Sequence, residues 1–232
     1  MSLLISGDLR LAKGAAMSWR ITPTQPVPAV IGEPFGGGYF AGYISHTADG
    51  SPTHALIVAP RATGATGTGY TLTTDLAWKT TGTTTTGTTS NFDGAANTAA
   101  MVTAGIASHP AANFCKNLSI GGFADWYLPA RYELDIAYFN LKPGTSNNDP
   151  SSGVNIYAVP QRISNWTITY PSQTVLTAFK TNAEMFASSS HWSSTESTAA
   201  NGWTLRYDEG SQFNASLKTS NLRVRAFRRI AL

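Results

Sequence analysis

The sequence predicts an α+β fold: two or three helices packed on short antiparallel strands, with an extended arm in front. Three observations predict it. Helical periodicity is confined to the middle of the chain, over residues 95–117 and 129–141, with a short further stretch at 172–180. The last forty or so residues read as short strands joined by polar turns, closing on an arginine-rich strand. Pro23, Pro26 and Pro28 favour polyproline-like chain ahead of the first strand. The expected organisation is an attachment arm over residues 1–30 and one domain over residues 31–232, whose display surface lies at about 191–232.

Within the domain, GGGYFAGYIS and HALIVAP read as strands, with ADGSPT as the turn between them. The first alternates Tyr39, Ala41 and Tyr43 against Phe40, Gly42 and Ile44. Residues 61–92, which include TTGTTTTGTTS, read as a long Thr/Gly surface loop, because threonine favours extended chain and glycine interrupts it. The first helix is capped by Asp93 or Asn97 and divided at Pro110, with Met101, Ile106, Phe114 and Leu118 as core. The second begins near Pro129, carries Ala130, Leu134, Ala137 and Leu141 on one stripe, and stops at Pro143–Gly144. Residues 172–180 form a third, short helix capped by Ser172, with Val175, Leu176 and Phe179 facing inward. Trp126, Trp192 and Trp203 are assigned to the core, with sugar stacking as the functional alternative for Trp203.

Charged residues make up 12% of the 232-residue chain, against roughly 25% in ordinary soluble proteins. Such a neutral, hydroxyl-rich composition is common in adhesins and virion proteins. The net charge of +3 is concentrated in Arg223, Arg225, Arg228 and Arg229. A nucleic-acid binder shows a broader basic face, so these arginines are expected to pair with carboxylates and carbonyls, and no nucleic acid is expected as partner. Cys115 is alone and reads as a buried apolar residue. No run approaches a membrane span, and no secretory signal opens the chain. A protein made in a cytoplasm and not inserted in a membrane is expected.

The chemistry-bearing residues do not assemble into a motif. Gly36, Gly37 and Gly38 are not followed by Gly-Lys-Ser/Thr, so they form no phosphate loop. The four histidines show no metal-ligand spacing. Asn147, Asn148 and Asp149 read as a plain turn rather than a calcium loop. A glycosidase needs two carboxylates across a cleft. Asp208 and Glu209 are neighbours that alternate across a strand, and Asp125, Glu133 and Asp135 read as capping or surface groups. The expectation is a protein without catalytic residues, metal or cofactor.

DWYLPARYEL (125–134), HWSSTE (191–196), a Trp-containing strand and VRAFRRI (224–230) together resemble a family of bacterial and phage domains. That family includes the C-terminal domain of a Legionella collagen-like adhesin and looks like a variant of the C-type lectin fold. GEPFGGGYFAGYIS (32–45), ALIVAP (55–60), FCKNLSIGGFADWYLP (114–129) and the WSSTE tail resemble phage tail-fibre or related virion proteins, some of them diversified by retroelements. The resemblance covers residues 31–232. It departs from sugar-binding animal lectins, whose Glu-Pro-Asn and Trp-Asn-Asp calcium motifs are missing here.

The resemblance implies a bacteriophage virion protein of the tail fibre or tail tip, which recognises a host-cell surface glycan or protein. The alternative is a capsid decoration or fibre-attachment protein. It further implies a homotrimer, joined to other virion proteins through residues 1–30. The expected ligand-binding residues are Asn201, Arg206, Asp208, Gln212, Phe213, Asn214, Ser216 and Lys218. They lie where alternate strand side chains point outward and combine anchors with adaptable hydrogen-bonding groups.

Overall fold

A computed structural model describes residues 26–67, 70, 72–180 and 183–232. The expected arm at residues 1–30 lies, apart from residues 26–30, outside the described residues. The chain is mixed α and β. In order it runs β1 (Pro34–Phe35), β2 (Gly38–Ile44), β3 (His54–Val58), α1 (Arg61–Gly64), β4 (Leu76–Ala77), α2 (Gly94–Thr103), a 3-10 turn (Ile106–Ser108), α3 (Pro110–Lys116) and α4 (Arg131–Leu141). It continues through β5 (Ala158–Val159), α5 (Thr177–Lys180), β6 (Ser190–Glu196), β7 (Asn201–Arg206), β8 (Gln212–Leu217), β9 (Asn221–Leu222) and β10 (Phe227–Ala231).

A five-stranded sheet, β1-β2-β3-β10 with β5 beside β2, divides two cores. Strand alternation sends Leu56 and Val58 into one core, with Leu134, Ala137 and Tyr138 of α4. It sends Ala55 and Ile57 into the other, with Met101, Ala111, Cys115 and Trp126. The apolar run ALIV has no polar face because both faces of β3 are covered. In β2 the expected alternation breaks. A bulge between Phe40 and Gly42 puts Phe40 in the second core and Ile44 in the first, although strict period two would keep them together. Gly42 makes this possible: its φ is +125°, and a Cβ there would stand 2.5 Å from the Asn140 amide.

The helices follow their signals. Asp93 caps α2 by accepting from the Ala96 N–H at 2.8 Å, and Pro110 opens α3. Ala130, Leu134, Ala137 and Leu141 are fully buried, as their stripe requires. The third helix is shorter than the sequence indicated. Only Thr177–Lys180 is helical, and Val175 is 84% exposed rather than inward. The Thr174 N–H is held by the Lys142 carbonyl at 3.0 Å, which fixes the preceding residues against the end of α4 before a helix can start.

The C-terminal arginines pair as expected. Arg223 meets Asp75, Arg225 meets Glu184, Arg228 meets Asp125 and Arg229 meets Asp93. Each ties the last strands to a segment far away in sequence. A second sheet, β6-β7-β8, carries the tail of the chain, and β4 pairs with β9 beside it. The Trp192 N–H donates to the Arg223 carbonyl at 2.9 Å, and the Trp78 indole N–H to the Ser193 carbonyl at 2.8 Å.

Glu133 takes the capping role that its first-turn position indicated, but from inside the core and not at the surface. It is wholly buried, and its carboxylate accepts from Tyr127 Oη at 2.7 Å, the Ala130 N–H at 2.7 Å and the Gly94 N–H at 3.2 Å. One carboxylate thereby anchors the starts of both α2 and α4. Burial pushes its pKa up to about 7, against these three donors. The native state therefore keeps a proton that the unfolded chain releases near 4.5. Stability is expected to fall as pH rises from about 4.5 to about 7, by on the order of 1–3 kcal/mol. Urea unfolding across that range tests this: Glu133→Gln should flatten the slope, and an unchanged slope would assign it to another group.

Candidate recognition surface

HWSSTE, residues 191–196 of β6, is buried along its whole length, and its hydroxyls are consumed inside. Ser193 Oγ donates to the Trp203 carbonyl at 2.9 Å, Ser194 Oγ accepts from the Asn97 amide at 3.1 Å, and Thr195 Oγ1 donates to the Ser90 carbonyl at 2.8 Å. The serines and threonine read as exposed by type, but they serve as internal connectors: Ser193 within the tail sheet, Ser194 to α2 and Thr195 to the loop before α2. Of the expected display surface over 191–232, residues 191–196 are thus buried, and β8 carries a run of exposed side chains at 213–215.

Within the β7–β8 hairpin the eight expected residues separate. Phe213 is 54% exposed, and Asn214 and Arg206 are also exposed. Arg206 closes on Asp208, with Nε–Oδ1 at 3.1 Å and Nη2–Oδ2 at 2.6 Å, and Glu209 lies 3.5 Å away. This turn therefore presents one guanidinium held between two carboxylates, an ion cluster with an acidic excess. Asn201 and Ser216 are half-buried, and Ser216 Oγ shares a hydrogen bond with Thr204 Oγ1 at 3.1 Å. Gln212 turns inward: its amide N–H donates to Asp135 Oδ1 at 3.0 Å, and its oxygen accepts from Arg131 Nε.

Lys218 corrects the expected contact set. It is fully buried, bonded to Glu196 at 2.7 Å and to the carbonyls of Ala199 and Thr83 at 2.9 and 3.1 Å. Lys79 donates to the carbonyls of Thr83 and Thr84 and to Thr85 Oγ1, and the Thr85 N–H reaches Glu196 at 2.7 Å. Two ammonium groups and one carboxylate thus hold the threonine-rich loop against the tail sheet. The loop is irregular in backbone yet tied down, because its carbonyls satisfy buried charge.

Trp126 and Trp192 are core residues, as expected, but Trp203 is only half-buried. The β7–β8 register explains this. Gly202 faces Ser216 and Thr204 faces Phe213, so Trp203 stands opposite two residues, Asn214 and Ala215, at a bulge. The Arg131 guanidinium lies 3.7 Å from the centre of the Trp203 ring and 5.1 Å from that of Tyr132. Sequence reasoning missed Arg131. Its i+4 neighbour is Asp135, a spacing that indicates a helix-surface ion pair. Asp135 instead points inward, fully buried, where it pairs with Arg162 and accepts from the Asn155 amide at 2.7 Å.

Asn147–Asn148–Asp149 is built around a lysine. Lys142 Nζ donates to Asn148 Oδ1 and to the Ser146 carbonyl, both at 2.6 Å, and Tyr138 Oη also donates to Asn148 Oδ1 at 2.6 Å. The carboxylates of Asp125 and Glu196 are likewise engaged with cations, Asp125 with Arg228 and Glu196 with Lys218. No helix among the described residues is long and apolar enough to cross a membrane. No protein-family model and no curated protein matches this chain.

Proposed function

We propose that this chain is a bacteriophage virion protein of the tail fibre or tail tip, which recognises the host-cell surface through a C-type lectin-like C-terminal domain. One observation carries the reading. The last forty residues divide into a buried frame and an exposed hairpin. β6 and the arginine strand are locked by internal bonds, while β8 carries exposed Phe213, Asn214, Ala215 and Leu217 on the edge of its sheet. A rigid frame lowers the ordering cost of binding, and an exposed aromatic flanked by amides and hydroxyls is the composition of an adaptable paratope. The resemblance of residues 31–232 to phage tail-fibre proteins supports the same assignment. The contact set is Arg206, Asp208, Phe213, Asn214 and Ser216, with Asn201 at its margin. Gln212 and Lys218 support it from below. The protein acts in the virion as a homotrimer, attached through residues 1–30.

Immunogold labelling of particles from a producing culture tests the placement. Label at the distal tail is the expected result, and label spread over the capsid would overturn it.

A second reading, capsid decoration or fibre attachment, draws on a different surface. Val30, Tyr170 and Val175 are each more than half exposed and line one open concavity of about 440 Å³, a shape suited to a subunit contact. Val175→Asp should then block particle incorporation, with no effect on folding as measured by thermal melting. Normal incorporation would remove this reading.

A further inference from the structure

Arg131 differs from the other arginines that hold the frame together. Arg162, Arg206, Arg223, Arg225, Arg228 and Arg229 each meet a carboxylate. Arg131 meets none among the described residues. Its Nε donates to Gln212 Oε1, its flat face covers Trp203, and its two terminal nitrogens have no hydrogen-bond partner among the described residues. They are not enclosed either, since Arg131 is only half-buried. Burial lowers its pKa, and no neighbouring carboxylate opposes that effect.

The position of the guanidinium is fixed from behind. Arg162 neutralises Asp135, Asp135 accepts from the Gln212 amide N–H, and that bond turns the Gln212 oxygen toward Arg131. The Arg131 backbone N–H is itself held by Thr195 Oγ1 at 3.1 Å. A planar fork, pre-oriented by stacking and by one committed nitrogen, with its outer edge unpaired, matches a carboxylate. The surroundings define what carries that carboxylate. The fork is bordered by the Gln212 amide, the Trp203 ring and the Tyr132 ring, and Asn214 and Ala215 stand opposite Trp203 at the bulge. One cation set among uncharged hydrogen-bonding groups suits a sugar acid better than a phosphate or an acidic peptide, which call for clustered cations.

We infer that the Arg131 fork, stacked on Trp203 and set by Gln212, binds the carboxylate of a uronic-acid residue in a surface glycan. The inference rests on the surface-recognition reading and names a ligand class for it. Arg131 lies on α4, outside the contact set of Arg206, Asp208, Phe213, Asn214 and Ser216, so the two can fail separately.

The test titrates the full chain with tetragalacturonic acid, its methyl ester, inorganic phosphate and an acidic Glu-Ser peptide, read by calorimetry. Tetragalacturonic acid should bind, and its ester at least tenfold more weakly. Arg131→Gln should weaken the acid at least tenfold and leave the melting temperature within a few degrees. Gln212→Met removes the positioning bond but not the charge, and should weaken the acid less than Arg131→Gln does. Absence of binding by the acid, equal binding by Arg131→Gln, or equal binding of phosphate or peptide would overturn the inference. If that happens while the protein still labels cells through Phe213, the recognition reading stands without it.

Discussion

Replacing Arg225 by methionine should destabilise the protein by about 3–5 kcal/mol, the cost of removing one partner from a buried ion pair. Arg225 is 1% exposed, and each of its three guanidinium nitrogens donates a hydrogen bond. Nε donates to the Ala59 carbonyl at 2.8 Å, Nη1 to the Glu184 carbonyl at 3.0 Å and Nη2 to Glu184 Oε2 at 2.8 Å. Glu184 in turn accepts from the Arg61 N–H at 2.7 Å and from Tyr39 Oη at 3.3 Å. The substitution therefore leaves a carboxylate and two carbonyls short of a donor, and it detaches the segment around Glu184 from β3. In a chain of this size that loss corresponds to a fall in Tm of roughly 6–20 °C. Thermal and urea unfolding at pH 7 measure it. Arg225→Met combined with Glu184→Gln should recover part of the loss, because the stranded charge is then gone. A single variant within 1 kcal/mol of the parent would show that water reaches Glu184 and that the pair is not structural.

Lys218→Met should cost a similar amount, about 3–5 kcal/mol, with a local signature. Lys218 and Glu196 are 0% and 6% exposed along their side chains, and both reach the loop at residues 79–88. Removing the ammonium frees the Ala199 carbonyl, leaves the Thr83 carbonyl to Lys79 alone and leaves Glu196 with only the Thr85 N–H and the Thr88 hydroxyl. Hydrogen exchange should then accelerate in residues 79–88 and 196–201 before the rest of the molecule. Glu196→Leu added to Lys218→Met should restore stability, since an apolar pair of similar volume does not need the bonds. Uniform acceleration across all strands would mean that the loop and the tail do not form a separate unit.

What the sequence disclosed followed from local rules. Caps, prolines and stripes located α2, α3 and α4 because each depends on neighbours within a turn. The pairing of the four C-terminal arginines was also legible, since a strand so rich in guanidinium groups must find carboxylates to be buried. The site was less legible. Lys218 and Gln212 look like surface residues on β8 by type and alternation. Their partners, Glu196, Thr83, Asp135 and Arg131, lie 22, 135, 77 and 81 residues away. Trp203 looked like core because no local signal reports a bulge. Arg131 went unnoticed because nothing in the sequence shows that Arg162 takes Asp135. Buried hydroxyls in HWSSTE misled for the same reason: a serine is polar by type, and its partner decides where it can sit.

The measurement that bears most directly on recognition is labelling of a panel of bacterial strains with fluorescent protein, comparing the parent with Arg206→Glu/Phe213→Ala. Both side chains project from the hairpin, so the double variant should keep its melting temperature. The expected result is that the parent labels a subset of strains and the double variant loses at least tenfold of that signal. Equal labelling by the two proteins, with both folded, would contradict recognition through the β7–β8 hairpin.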